Sequence, residues 1–142
     1  MIVAFSLLLA PAAIAQPAPD LDRSLQRLVD DYTRLYSRDS LAVWRNLFLP
    51  NFTVASVAAD SSVTVRHYGD FVAAQERGFS TGRDVGERLE NVRIERRGRL
   101  ATVWADFVYW HDDAGRRGKL VLMAVYQRDR WRFHSLMFSY HD

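Results

Sequence analysis

Residues 100–111 read LATVWADFVYWH, and the fold turns on how this run is read. Aromatic and β-branched residues dominate it, and neither proline nor glycine interrupts it, which is the composition of a strand. Successive side chains of a strand point to opposite faces. One set is therefore Ala101, Val103, Ala105, Phe107 and Tyr109, and the other is Trp104, Asp106, Val108 and Trp110. Residues 88–96, 119–127 and 131–140 also read as strands, separated by turn signals at Gly98, at 112–118 and at Arg128-Asp129-Arg130. Connections this short join antiparallel neighbours, so the C-terminal half is predicted to be a four-stranded meander.

Upstream the period changes. Leu21, Leu25, Leu28, Val29, Tyr32, Leu35 and Tyr36 recur at three and four, on one face of a helix that Asp20 caps. A second helix is predicted from Ser40, with Leu41, Trp44, Leu47 and Phe48 on one face and Pro50 as its stop. Residues 52–59 and 63–68 read as two short strands around Asp60-Ser61-Ser62, residues 71–79 as a third helix, and 80–84 as a loop. Every helix precedes the long strands. This segregation predicts an α+β domain over residues 20–142 rather than an alternating α/β chain.

Residues 1–15 carry no charge and hold an apolar run that Pro11 ends; Ala13 and Ala15 stand where a signal peptidase reads small side chains. The expectation is a cleaved secretory signal at 1–15, a disordered Pro/Ala spacer at 16–19, and a secreted or periplasmic protein. The run is too short for a membrane span, which needs roughly 20 apolar residues. No cysteine occurs, so disulfides, lipidated cysteines and thiolate chemistry are excluded. A net charge of +2 is small, and the clusters Arg96-Arg97 and Arg116-Arg117 fall at turns, so no nucleic-acid surface is expected. His67, His111, His141, Asp112 and Asp113 match no metal-ligand spacing, and phosphate loops and nucleophile elbows are lacking; no metal and no cofactor is expected.

The order helix, helix, two short strands, helix, four long strands resembles the nuclear transport factor 2-like superfamily, with its SnoaL-like and ketosteroid-isomerase-like members. Local cues are residues 41–53 (LAVWRNLFLPNFT), residues 101–107 (ATVWADF) and the closing Trp131-Arg132-Phe133. The resemblance implies a curved mixed, mainly antiparallel sheet wrapped around the N-terminal helices, a cone-shaped α+β barrel with a pocket inside. It places Ala101, Val103, Ala105, Phe107 and Tyr109 on the concave face, the two alanines leaving space beside the helix. Trp104 and Trp110 would lie outside, on a face through which such proteins dimerise, so a homodimer is expected. Asp106 would share that face and pair with Arg128 or Arg132; were the parity wrong by one residue, it would enter the cavity as a general base.

Aligned with ketosteroid isomerase, Tyr32 stands where that family has its oxyanion-hole tyrosine. Ser56 stands in place of the catalytic aspartate and Ala124 near the second acid, so that isomerisation is disfavoured: a serine is no base toward a C–H bond. The same resemblance turns His134, Leu136, Phe138 and Tyr140 inward, with Tyr126, Tyr109 or Tyr32 available as a partner for the imidazole. The expected ligand site is thus Tyr32, Val103, Ala105, Phe107, Tyr109, Tyr126, His134, Leu136 and Phe138, with His134 and Tyr32 as candidate catalytic groups. Three functions remain open, because fold alone does not choose among them. They are an exported binder of a small hydrophobic or aromatic molecule, a SnoaL-like cyclase or dehydratase using His134, and a non-catalytic homodimerising interaction domain.

Overall fold

The computed structural model describes residues 19–141. The expected signal at 1–15 and most of the spacer lie outside the described residues. Helix α1 spans Leu21–Arg34, and the Asp20 carboxylate caps it by accepting from Arg23 N at 3.0 Å. Its apolar stripe buries Leu25, Leu28, Val29 and Tyr32. The predicted second helix is only the single turn α2, Leu41–Trp44, between two 3-10 turns at Arg38–Ser40 and Arg45–Leu47. Phe48 already belongs to β1, Phe48–Val57, which contains Pro50.

Pro50 is not the helix stop expected of it: the last 3-10 turn closes at Leu47 and the strand has begun at Phe48, so the proline lies inside β1. β1 runs parallel to β6 and the ladder is interrupted between Phe48 and Thr53, so proline sits where no ladder hydrogen bond is needed. The hairpin partner β2, Val63–His67, is an exposed edge strand. Helix α3, Tyr68–Ser80, follows and packs mainly on β1. The meander is then β3, Val85–Arg97; β4, Leu100–His111; β5, Ala114–Gln127; and β6, Arg130–Tyr140. The sheet order is β2-β1-β6-β5-β4-β3, mixed through the one parallel pair, so the α+β expectation holds. The sheet curves without closing, because β2 and β3 remain its two free edges.

Between the concave face and α1 lies one core. Tyr32 sets its ring edge-on against Phe133 at 5.7 Å and lies 6.1 Å from Trp44, while Trp44 Nε1 donates to the Tyr32 carbonyl at 2.8 Å. At the other end of the helix, Trp131 Nε1 donates to the Leu21 carbonyl at 3.0 Å. Ala101 and Ala105 do not leave the hollow expected of them: both are buried in the same core as Leu25, Leu28, Val29 and Phe133. Small side chains let the apolar layers close up, and close packing is the rule inside proteins.

Two β-bulges decide which side chains face inward. In β3, Asn91 takes φ +52° as two residues, 91 and 92, stand against Ala105 alone. In β6, Ala124 pairs with Phe133 and Met123 with Ser135, so His134 is the extra residue. Phe133 and Leu136 are consequently both buried, and His134 is exposed on the outer face. No helix among the described residues is long and apolar enough to cross a membrane.

Gly118 lies under the Phe107 ring and beside the Ser139 carbonyl, with a hypothetical Cβ only 2.2 Å from that backbone oxygen. A backbone atom cannot move aside as a side chain can. Gly118→Ala should therefore cost about 2 kcal/mol or more, read as a lowered midpoint in urea denaturation at unchanged slope.

Candidate functional site

The concave face leaves a cavity of about 260 Å³ at the end of the sheet away from the alanines. Tyr32 of α1 and Tyr36, two residues beyond the end of that helix, form one wall, and Ala74 and Gln75 of α3 form another. Phe107, Tyr109, Phe138 and Tyr140 of the sheet supply an aromatic side, with the Phe107 and Tyr140 rings 5.4 Å apart. The Tyr36 hydroxyl donates to Gln75 Oε1, which ties the segment that follows α1 to α3 at this wall. Arg116 stacks over the Tyr140 ring at 3.5 Å.

One acid enters this space. Glu87 lies on β3 directly opposite Tyr109 of β4, in the same parity as Val85 and Leu89, and so points inward. Its Oε1 atom is shut off from solvent and, among the described residues, has no hydrogen-bond partner. Burial raises the carboxyl from an ordinary 4.5 to about 7, and the Tyr32 hydroxyl beside it pulls the other way without cancelling the effect. Tyr32 is itself pushed well above the usual tyrosine range, first by burial and then by the negative charge of Glu87. Tyr36, Tyr109 and Tyr140 are raised as well, burial first in each, and all three feel the Glu87 charge. The arrangement is a carboxyl near its midpoint at neutral pH, encircled by four protonated phenols. Such a set can exchange one proton and donate several hydrogen bonds.

The structure brings together five of the nine sequence-predicted ligand residues: Tyr32, Phe107, Tyr109, Leu136 and Phe138. Val103 and Ala105 sit in the packed core, and Tyr126 lies elsewhere, its ring 5.5 Å from that of Trp131. His134 is a correction to the reading of β6, since the bulge turns its imidazole out and away from Tyr32, Tyr109 and Tyr126. Asp106 lies outside too, but its partners are not arginines: Lys119 Nζ is 2.6 Å away and Asn91 donates at 2.7 Å. Lys119 stands opposite Asp106 in the β4–β5 register, whereas Arg128 lies in the β5–β6 turn and Arg132 on β6 opposite Val125, level with Leu100 at the other end of β4. Among the described residues no group of three His, Asp or Glu side chains is gathered as for a metal. His111 and Asp112 instead make turn contacts with Arg83.

β3 begins at Val85, three residues before the strand expected at 88–96, and the signal in the sequence for Glu87 is an acid alternating with Val85 and Leu89. A larger depression, about 480 Å³, lies on the outer face between Trp104, Asp106, Lys119 and Met137. It gathers no convergent buried polar groups, since Asp106 and Lys119 satisfy each other.

Residues 25–142 match the model of the SnoaL-like domain, and the chain belongs to that family. No curated protein matches it significantly. Among solved structures, an NTF-2-like protein of unknown function from Silicibacter pomeroyi is 17% identical, with a TM-score of 0.63 over 84% of this chain and 95% of that one. A putative scytalone dehydratase from Novosphingobium aromaticivorans is 16% identical, with a TM-score of 0.68 over 85% and 84%. An NTF2-like protein with a cystatin-like fold from the same organism is 11% identical, with a TM-score of 0.64 over 87% and 83%. Identities this low show a shared fold.

The raised Glu87 carboxyl has a signed consequence for stability. Below about pH 4.5 it is neutral in both folded and unfolded chains. Between there and about 7 the folded chain keeps its proton while the unfolded chain releases it, so stability falls as pH rises. The loss should reach roughly 3 kcal/mol by pH 8. Glu87→Gln should flatten this segment of the profile, measured by urea denaturation from pH 4 to 8.

Proposed function

We propose that this SnoaL-like domain binds a small, largely apolar molecule in its inner cavity and anchors one hydrogen-bonding oxygen of that molecule on Glu87 and Tyr32. The observation that carries this reading is Glu87 Oε1, a buried polar atom without a partner and turned into the cavity. An unmet buried acceptor costs about 1–3 kcal/mol, which a ligand hydroxyl would recover. Aromatic walls with a few convergent polar groups are the usual make-up of such sites.

The probe is 2-naphthol, followed by isothermal titration. Wild type should bind it saturably, and Glu87→Leu should weaken it at least tenfold while leaving the protein folded and more stable at pH 8. Equal affinity for both proteins, or no binding to wild type, sinks the reading.

The same carboxyl favours a second reading, dehydration, the activity for which the Novosphingobium aromaticivorans structural neighbour is named. A tyrosine hydroxyl would hold a substrate carbonyl while the Glu87 carboxylate takes the proton from the adjacent carbon. Glu87 would return that proton to the departing β-hydroxyl, which leaves as water. In this reading Glu87, not His134, is the acid and base.

Export and self-association belong to the same proposal. The signal-like run at 1–15 supports export, and Trp104 and Met137, 47% and 52% exposed on the outer face, support a second copy of the chain as partner. Native mass spectrometry of protein expressed with its full leader should show a chain beginning at Gln16, at twice the monomer mass.

A further inference from the structure

The cavity joins the two free edges of the sheet. Glu87 comes from edge strand β3, and Arg66 comes from edge strand β2 at the opposite end of the strand order. Arg66 pairs with Val54 across the β1–β2 ladder, so both side chains share the concave face, and both line the cavity. Curvature therefore sets a guanidinium and a carboxyl on opposing walls of one aromatic-sided space. Among the described residues, ion pairs hold Lys119 and eight arginines, and Arg66 is one of the arginines with no acid within ion-pairing distance; what sets it apart is its place on the cavity wall.

We propose that the ligand is an organic anion, an aromatic or aliphatic acid whose carboxylate pairs with Arg66 while its distal hydroxyl or carbonyl meets Glu87 and Tyr32. The inference rests on the pocket reading above and adds the ligand's charge and its orientation.

Three physical points support it. A planar guanidinium with free donors matches a carboxylate in a two-point fork. The side chain is exposed where it lines the cavity, so water is displaced from the anion only in part and entry stays easy. Glu87 at the far wall keeps its proton about half of the time at neutral pH, so it opposes an incoming anion less than a fully ionised carboxylate would. The aromatic rings between the two polar walls would take the ligand's apolar body.

The experiment compares 4-hydroxycinnamate, its methyl ester and unsubstituted cinnamate by titration at pH 7, with wild type, Arg66→Ala and Glu87→Leu. In wild type the acid should bind at least tenfold more tightly than the ester. Arg66→Ala should erase that ratio and leave the binding of 2-naphthol unchanged. Glu87→Leu should keep the ratio of acid to ester and remove the preference for the hydroxylated acid over cinnamate. Acid and ester bound equally by wild type, with 2-naphthol still bound, overturns the anion and leaves the pocket standing. A ratio that survives Arg66→Ala overturns the role of Arg66. No binding of 2-naphthol or any cinnamate overturns both readings together.

Discussion

The docking of α1 into the hollow of the sheet carries the rest of the structure. Leu25, Leu28, Val29 and Tyr32 present one apolar stripe, and the aromatic rings of Trp44, Phe48 and Phe133 close around Tyr32. Two indole N–H groups, on Trp44 and Trp131, donate to backbone carbonyls near opposite ends of the helix and so fix its position along the sheet as well as its depth. With the helix held at both ends, the Tyr32 hydroxyl is delivered next to Glu87. Because the chain lacks cysteine, this packing has no covalent support.

Charge is distributed to match that geometry. On the outer face, Asp106 meets Lys119 and Asn91, while Glu90 takes Arg88 at 2.9 Å and Arg117 at 3.1 Å across Val108, which is buried beneath them. Asp22 takes Arg96 and so ties α1 to β3. These pairs are exposed and individually weak. Glu87 differs because no cation among the described residues offsets its burial; its proton does so instead, and a carboxyl that holds its proton near neutrality is the kind of group that serves binding or proton transfer.

Two single-residue insertions in the ladders shape the site more than any motif. The Asn91 bulge bends β3 at mid-strand, between the Glu87 end and the Arg96 end. The His134 bulge keeps Phe133 and Leu136 both in the core and sends the histidine outside. Without that bulge, strict alternation would force a choice between burying Phe133 and lining the cavity with Leu136, Phe138 and Tyr140.

The class of fold was legible along the chain, because period and punctuation are local properties. The 3.6-residue stripe of α1, the alternation of 100–111 and the turn residues at Gly98 and Asp129 each report on their own neighbourhood, and together they place the helices before an antiparallel meander. Half of the site was legible for the same reason, since Tyr32, Phe107 and Tyr109 follow from periodicity once a concave face is assumed. His134 and Glu87 were not. A bulge is a property of two paired strands, and the side of the sheet on which a residue falls beyond it depends on the partner's register, which one strand does not encode. The meeting of Arg66 with Glu87 lies further still from the linear chain. It exists only because a curved sheet brings its two edges around one helix, and curvature is settled by how the whole core packs.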